Sequence, residues 1–135
     1  MGLFRDLVVW FNAMGTLPWT IRLWATFYPL PQIIGGLIFI QTLPGLIILL
    51  GRILSGLIAS QIHKRAPFSK LMGPLGHAHW LLIVPYLIYE LTTQALPPGL
   101  FWFISYVLAT TLISAIIDLF ELRTYLKRGH VEYQR

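Results

Sequence analysis

The stretch GLIILLGRILSGLIASQ, residues 45–61, decides the fold class. It is almost wholly apolar, it is rich in small residues, and it carries a single charge, Arg52. A helix of about 20 such residues crosses the hydrocarbon core of a bilayer. The stretch therefore predicts a membrane-spanning helix at the centre of a small helical bundle. The rest of the chain is expected to hold this helix and its arginine in lipid.

The composition favours lipid over water as the surrounding solvent. Hydrophobic residues make up 56% of the 135 residues and charged residues 11%, whereas soluble domains carry about 25% charged residues. A soluble fold this apolar would expose large adhesive patches. Because the chain has no cysteine, disulfides, thiolate metal sites and cysteine nucleophiles are excluded. The net charge of +5 does not indicate nucleic acid, since basic residues beside apolar segments are better explained by lipid headgroups and topology.

Hydropathy and turn signals divide the chain into four predicted transmembrane helices, at 17–41, 44–63, 75–96 and 99–122. They form one all-α, antiparallel bundle in a single membrane domain over residues 1–135, which includes a cytoplasmic tail at 123–135. One long helix through the first two segments is the alternative, but residues 33–61 would overshoot a bilayer by about half. Prolines predict kinks in the first and third spans. Pro29 and Pro31 can also interrupt the first span outright, because proline lacks the N–H that continues a helix.

A short amphipathic helix is predicted before the first span, within residues 1–15. Leu3, Leu7, Trp10, Phe11 and Met14 recur at helical spacing, while the polar residues fall elsewhere. The segment is too short to span and lacks the pattern of a signal peptide. We therefore expect it to lie in the membrane interface.

The distribution of basic residues predicts the orientation of the bundle. With both termini on one side, that side receives nine of the ten Lys and Arg residues. The two loops on the other side, at 41–45 and 94–99, receive none. The positive-inside rule then places both termini and the loop at 63–74 on the cytoplasmic side of the membrane. The nine residues are Arg5, Arg22, Lys64, Arg65, Lys70, Arg123, Lys127, Arg128 and Arg135.

An intramembrane ion pair is predicted between Arg52 and Glu90. Burying an arginine in a bilayer costs about 2.5–3.5 kcal/mol on insertion scales, so a partner is expected. Glu90 lies at a similar distance from the outer end of the third span. A structural pair that joins two helices is the main interpretation. Snorkelling of Arg52 to the outer surface and a role in transport or proton relay are the alternatives.

Two further groups of residues are candidates for packing and binding. Small residues at four-residue spacing in the second span predict close helix packing: Gly51, Ser55, Gly56, Ala59 and Ser60. A polar cluster is predicted at the cytoplasmic edge, with Arg22 expected to neutralise Asp118: Arg22, His63, His77, His79, Asp118 and Glu121. Headgroup contact or structural hydrogen bonding is the main interpretation of this cluster. Metal or haem binding is the alternative, and no metal or cofactor is predicted.

The segment from residue 67 onward carries short motifs that resemble a known family. They are the F-S-K-x-M loop at Phe68, Ser69, Lys70, Leu71 and Met72, then His77 with Pro85, then Asp118, Glu121, Tyr125 and Gly129. In these motifs the chain resembles a family of small bacterial inner-membrane proteins without an assigned function, which look like four-span bundles. The resemblance implies the same topology and adds no activity.

The function expected from these patterns is not enzymatic. The chain lacks a Gly-rich phosphate loop, HExxH and GxSxG. We expect an accessory or structural subunit of a larger membrane complex, or a self-assembling bundle, with membrane lipid and a protein partner or second copy as partners. A small oligomeric transporter or channel, with Arg52, Glu90 and Gln41 along its path, is one alternative. A lipid- or cofactor-binding protein that uses the histidine-rich edge is the other.

Overall fold

The computed structural model describes residues 2–128, and these are helical with no β-strand among them. The predicted all-α class is confirmed for this part of the chain. The helices are α1 (Leu3–Ala13), a 3-10 turn (Met14–Thr16), α2 (Trp19–Phe27), α3 (Pro29–Ile38), α4 (Leu43–Arg65), α5 (Met72–Gly76), α6 (Trp80–Thr93) and α7 (Pro98–Arg128). Residues 129–135 of the predicted tail, with Gly129 and Arg135, lie outside the described residues.

Two of the described helices, α4 with 23 residues and α7 with 31, are long and apolar enough to cross a bilayer by length and composition. The prediction of four transmembrane helices is therefore supported for only two of them. The predicted first span is divided into α2 and α3, of 9 and 10 residues. The predicted third span, 75–96, begins at the end of the short α5 and then contains α6, of 14 residues.

Both interruptions have a cause in the sequence. The first falls at Tyr28, immediately before Pro29 and Pro31, because proline lacks the N–H that would continue the helical hydrogen bonds. The second falls at residues 77–79, after the glycine- and proline-containing α5, since glycine and proline are the weakest helix formers. Pro85, in contrast, lies inside α6, which continues past it.

Helix α4 is the central element of the fold. Its first turn is capped by Thr42, whose hydroxyl accepts a hydrogen bond from the Gly45 N–H at 3.2 Å, and its last turn is basic, which suits the helix dipole. Helices α1, α3, α5 and α6 all pack against it. A Cβ added to Gly36 would lie 2.9 Å from Leu49 Cβ, so only glycine allows α3 to approach α4 this closely.

The apolar core lies between α4, α6 and α7. Its buried members are Ile48, Trp80, Leu87, Leu100, Ile104, Val107 and Leu108. The outer faces of the same helices are also apolar: Leu81 and Leu82 of α6 are 80% and 81% exposed, and Phe120 of α7 is 64% exposed. The hydrophobic residues therefore cover the outside of the bundle as well as filling its inside.

The predicted short N-terminal helix is present as α1, and it packs against α4. Leu7 and Trp10 approach Gly56 of α4, whereas Phe4 and Phe11 are exposed. Asp6 is the buried residue of α1, so a carboxylate lies in the contact between the two helices beside the apolar Leu7 and Trp10.

Candidate functional site: a buried arginine cluster

The side chain of Arg52 lies at the centre of the bundle and is 4% exposed. Its Nε donates a hydrogen bond to Gln32 Oε1, and its Nη2 donates to the Tyr28 hydroxyl and, at 3.4 Å, to Thr111 Oγ1. These acceptors are all uncharged. They come from the break between α2 and α3, from α3 and from α7, so one guanidinium on α4 connects three helices and the break.

Two aromatic rings cover the guanidinium. Its Cζ lies 4.2 Å from the centroid of the Tyr28 ring and 4.1 Å from that of the Trp80 ring. A cation over an aromatic face is attracted by the negative face of the ring, and the attraction is stronger where water is absent. Tyr28, Gln32, Arg52, Trp80 and Thr111 are called the arginine cluster below.

A second layer of hydrogen bonds fixes the members of the cluster. Gln32, which is fully buried, donates from Nε2 to Thr110 Oγ1 at 2.9 Å, which orients its carbonyl oxygen toward Arg52. Trp80 donates from Nε1 to Ser55 Oγ at 3.1 Å. A side chain held by its own hydrogen bonds loses little freedom when it contacts the arginine, so the cluster is organised in advance.

The break before α6 contacts α4 beside Arg52. His79 Nε2 donates to the Gly51 carbonyl at 2.9 Å, and Ser55 Oγ donates to the same oxygen at 2.9 Å. A Cβ on Gly51 would lie 2.8 Å from Ile83 and 3.1 Å from Trp80. The absence of a side chain at Gly51 therefore lets the start of α6 reach the level of Arg52.

Glu90 is not the partner of Arg52. Among residues 2–128 the carboxylate of Glu90 makes no ion pair with Arg52, whose partners are the neutral groups of the cluster. The reason is the level at which α6 begins: Trp80 packs on Arg52, and Glu90 lies ten residues further along α6, about 15 Å away at 1.5 Å per residue. The predicted ion pair is thus replaced by neutral hydrogen bonds and aromatic rings.

The residues predicted to form one polar cluster at the cytoplasmic edge are distributed over four places. His77 Nδ1 lies 2.9 Å from Asp118 Oδ2, and the carboxylates of Asp118 and Glu121 both lie over Gly73 of α5, where a Cβ would collide with them. His79 lies against α4, as described above. The pair His77 and Asp118 connects α5 to α7, and the His77 ring meets the Tyr28 ring edge-on at 5.6 Å.

His63 and Arg22 lie away from that pair. The Phe68 N–H donates to His63 Nδ1 at 3.2 Å, and Phe68 is buried with a positive φ of 50°, a backbone region that favours glycine. Arg22 Nη1 donates to the Gly15 carbonyl at 3.5 Å, whereas Asp118 is paired with His77. Among residues 2–128 no three histidine or acidic side chains are arranged to hold a metal ion.

The small residues of α4 face two different neighbours. Gly51, Ser55 and Ala59 lie toward α5 and α6, where a Cβ on Gly76 would lie 3.5 Å from the Ser55 carbonyl. Gly56 faces α1, where its Cβ would lie 3.4 Å from Leu7. Ser60 is buried and lines a groove of about 270 Å³ between α1 and the end of α4.

The main residue that sequence reasoning missed is Gln32. The sequence contained a signal for it, because Gln32 is an uncharged polar residue inside the apolar stretch that follows Pro31. Tyr28 and Gln32 are also four residues apart, which puts them on one helix face. Trp80 gave no such signal, since a tryptophan beside an apolar segment is typical of the membrane interface.

We compared the sequence and the fold with known proteins and found no relative. Neither protein-family models, nor curated proteins, nor solved structures give a match to this chain. The similarity of the segment after residue 67 to small four-span bacterial proteins therefore stays a prediction, and the function has to be inferred from the arginine cluster and the surface around it.

Proposed function

We propose that this chain is an integral membrane protein without catalytic activity that serves as a structural or accessory subunit of a larger membrane complex, or assembles with further copies of itself. The observation that carries the proposal is the distribution of polar groups. The interior polar side chains hold the helices to one another, and the outer faces of α6 and α7 are apolar and uncovered within the described chain. Lipid and a partner helix are the surroundings that suit such faces.

The proposed topology keeps four crossings, of which two are interrupted. Helices α2 and α3 together form the first, α4 the second, α5 with α6 the third and α7 the fourth. An interrupted helix is tolerated at membrane depth where its backbone is buried in protein. The contacts of Tyr28 with Arg52 and of His79 with Gly51 support this arrangement, because both interruptions lie against α4. Both termini are proposed to lie on the cytoplasmic side of a bacterial inner membrane.

Labelling of single introduced cysteines tests the topology. The chain has no cysteine of its own, so it gives no background labelling. We expect a membrane-impermeant maleimide to label Gln94→Cys in intact cells and Arg65→Cys only after the membrane is opened. Both positions are exposed, so accessibility within the fold is matched. Labelling of both positions from the same side would contradict the four-crossing topology.

Gentle extraction tests the assembly. Purification from native membranes in a mild detergent, followed by mass measurement of the intact particle, is expected to give an oligomer or a co-purifying membrane subunit. Leu82→Gln, on the exposed face of α6, and Leu112→Gln, on that of α7, identify the face that makes the contact. A particle that contains one chain and no partner under every extraction condition would refute this function.

A small oligomeric transporter or channel is the second candidate, and one observation favours it. The breaks at Tyr28 and at residues 77–79 converge on the same buried arginine, and helix interruptions at mid-membrane are typical of substrate and ion sites in transporters. Ion flux in liposomes tests this candidate: Arg52→Met should abolish flux, and Glu90→Gln, which is remote from the cluster, should leave it unchanged. Equal flux from all three proteins and from empty liposomes would exclude it.

A further inference from the structure

The arginine cluster has more hydrogen-bond donors than acceptors. Arg52 Nη1 carries two N–H groups and makes no hydrogen bond to any group of residues 2–128. The hydroxyls of Tyr28 and Thr111 both accept from Arg52, and neither donates its own proton to an acceptor in the described chain. A hydroxyl has one proton to donate in addition to the lone pairs that accept. Three groups in one place therefore lack an acceptor.

The charge of the cluster is also unbalanced. No carboxylate of residues 2–128 lies within ion-pair distance of Arg52. Asp118 acts on it electrostatically, without direct contact, and is itself held by His77. A buried charge normally requires a counter-charge, because the desolvation of an ion costs several kcal/mol. The arginine cluster thus offers one positive charge and three donors, and nothing in the described chain accepts from them.

From this arrangement we propose that the arginine cluster binds a small monovalent anion of halide size, held by Arg52 Nη1 and the hydroxyls of Tyr28 and Thr111. The rings of Tyr28 and Trp80 stack on the guanidinium, with their centroids 4.2 and 4.1 Å from Cζ, which leaves the N–H edge at Nη1 for an anion. A site confined to that edge suits a small anion such as chloride. The site is independent of whether the chain is a structural subunit or a transporter.

Anion-dependent stability of the purified protein tests this proposal. The thermal midpoint is measured in detergent as chloride replaces gluconate at constant ionic strength. A ligand that binds only the folded state adds about 1.4 kcal/mol for each tenfold increase above its Kd, which corresponds to a rise of about 5 °C for a chain of this size. Broadening of the chloride-35 resonance by the protein reports the binding directly.

Two conservative variants and their controls identify the site. Thr111→Val and Tyr28→Phe each remove one donor and keep the shape, and each should weaken chloride binding about tenfold or more. Thr124→Val and Tyr106→Phe remove hydroxyls whose hydrogen bonds go to the backbone carbonyls of Phe120 and Phe27, and should leave it unchanged. Should Arg52→Met fail to fold, these variants still decide the question.

Three results would overturn the proposal. One is a thermal midpoint that does not depend on the anion at constant ionic strength, which is the result expected if water accepts from these donors. The second is an equal chloride response from Thr111→Val and from Thr124→Val, which would place the anion elsewhere. The third is stabilisation by chloride and gluconate alike, which would indicate general screening of charge.

Discussion

Two cations of helix α4, Arg52 and Lys64, have opposite surroundings. Arg52 is 4% exposed and is surrounded by neutral hydrogen-bond acceptors and two aromatic rings. The Lys64 side chain is 48% exposed and forms an ion pair with Asp6 of α1 at 3.0 Å. The buried cation has no carboxylate partner within residues 2–128, and the half-exposed cation has one.

The difference follows from what each charge loses on folding. Lys64 keeps much of its hydration, so its ion pair with Asp6 adds little and is screened by salt. Arg52 loses its hydration, and fixed dipoles from α3, α7 and the break at Tyr28 must replace it. A charge that needs several helices to solvate it also holds those helices in register, so we expect the arginine cluster, and not the contact of α1 with α4, to determine the stability of the bundle.

The largest effect is expected from Arg52→Ala. It removes the packing against two rings and leaves Gln32 Oε1 buried without its donor, so we predict a loss of at least about 3 kcal/mol in the free energy of unfolding. Denaturant titration in detergent, followed by circular dichroism, measures it. Arg65→Ala, an exposed cation of the same helix, is the control and should change stability by less than about 0.5 kcal/mol. A loss below about 1 kcal/mol at Arg52 would contradict the central role of the cluster.

Gln32→Leu is expected to have the next largest effect. Leucine is similar in size but cannot accept from Arg52 Nε, which leaves a charged donor unsatisfied in the interior, at a cost of about 2 kcal/mol. The same titration measures it, with Gln61→Leu as the control. Gln61 donates to Asp6 Oδ2 at 3.1 Å in the partly exposed contact with α1, so its replacement should cost clearly less. Equal losses at the two positions would erase the distinction between the two regions.

The same glycine-to-alanine substitution at two positions of α4 compares the arginine cluster with the contact of α1. A Cβ at Gly51 would lie 2.8 Å from Ile83 and 3.1 Å from Trp80, whereas at Gly56 it would lie 3.4 Å from Leu7. We therefore predict that Gly51→Ala costs about 1–2 kcal/mol through overpacking. Gly56→Ala should be neutral or stabilise the protein by up to about 1 kcal/mol, since alanine favours the helix. Thermal midpoints of the two variants, measured in parallel, decide it, and a more harmful Gly56→Ala would reverse the comparison.

The sequence predicted the helical class and the burial of Arg52, but it could not predict what surrounds that residue. Local signals, such as hydropathy and proline, report the apolar helix and the break at Tyr28. The partner of Arg52 depends on how far α6 extends toward the middle of α4, which is set by the packing of Trp80 and Ile83 on Gly51. The prediction counted residues from the outer end of the third span and so placed Glu90 at the same depth as Arg52. In the structure α6 begins beside Arg52, at Trp80, and Glu90 lies ten residues further along it.

The contact between α1 and α4 illustrates the same limit. Helical spacing predicted the short N-terminal helix, and its apolar residues predicted that it lies in the membrane interface. In the structure the helix also packs on α4 and turns Asp6 toward Gln61 and Lys64, polar groups more than fifty residues away in the sequence. Amphipathic patterning alone does not contain this information, since it assumes that apolar faces point to the protein and polar faces to solvent.

The smallest effect is expected from pH, at Asp6. The hydrogen bonds from Gln61 and then from Lys64 hold the pKa of the Asp6 carboxyl below its ordinary value of 3.8. A pKa that is lower in the folded state means that the contact stabilises the protein above the unfolded pKa, and that this stabilisation is lost as pH falls through the folded pKa. Helix α1 is therefore predicted to stay docked at neutral pH and to be released only below about pH 4.

A nitroxide on Phe4→Cys measures this release, because Phe4 is 77% exposed and the chain has no other cysteine. Its mobility should rise as pH falls below about 4, while a second nitroxide on Leu82→Cys of α6 stays unchanged over the same range. In Asp6→Asn, which cannot lose a proton, the label at residue 4 should show no transition with pH. An identical acid transition in Asp6→Asn would assign the release to another carboxylate and would remove the Asp6 contact as the group that docks α1.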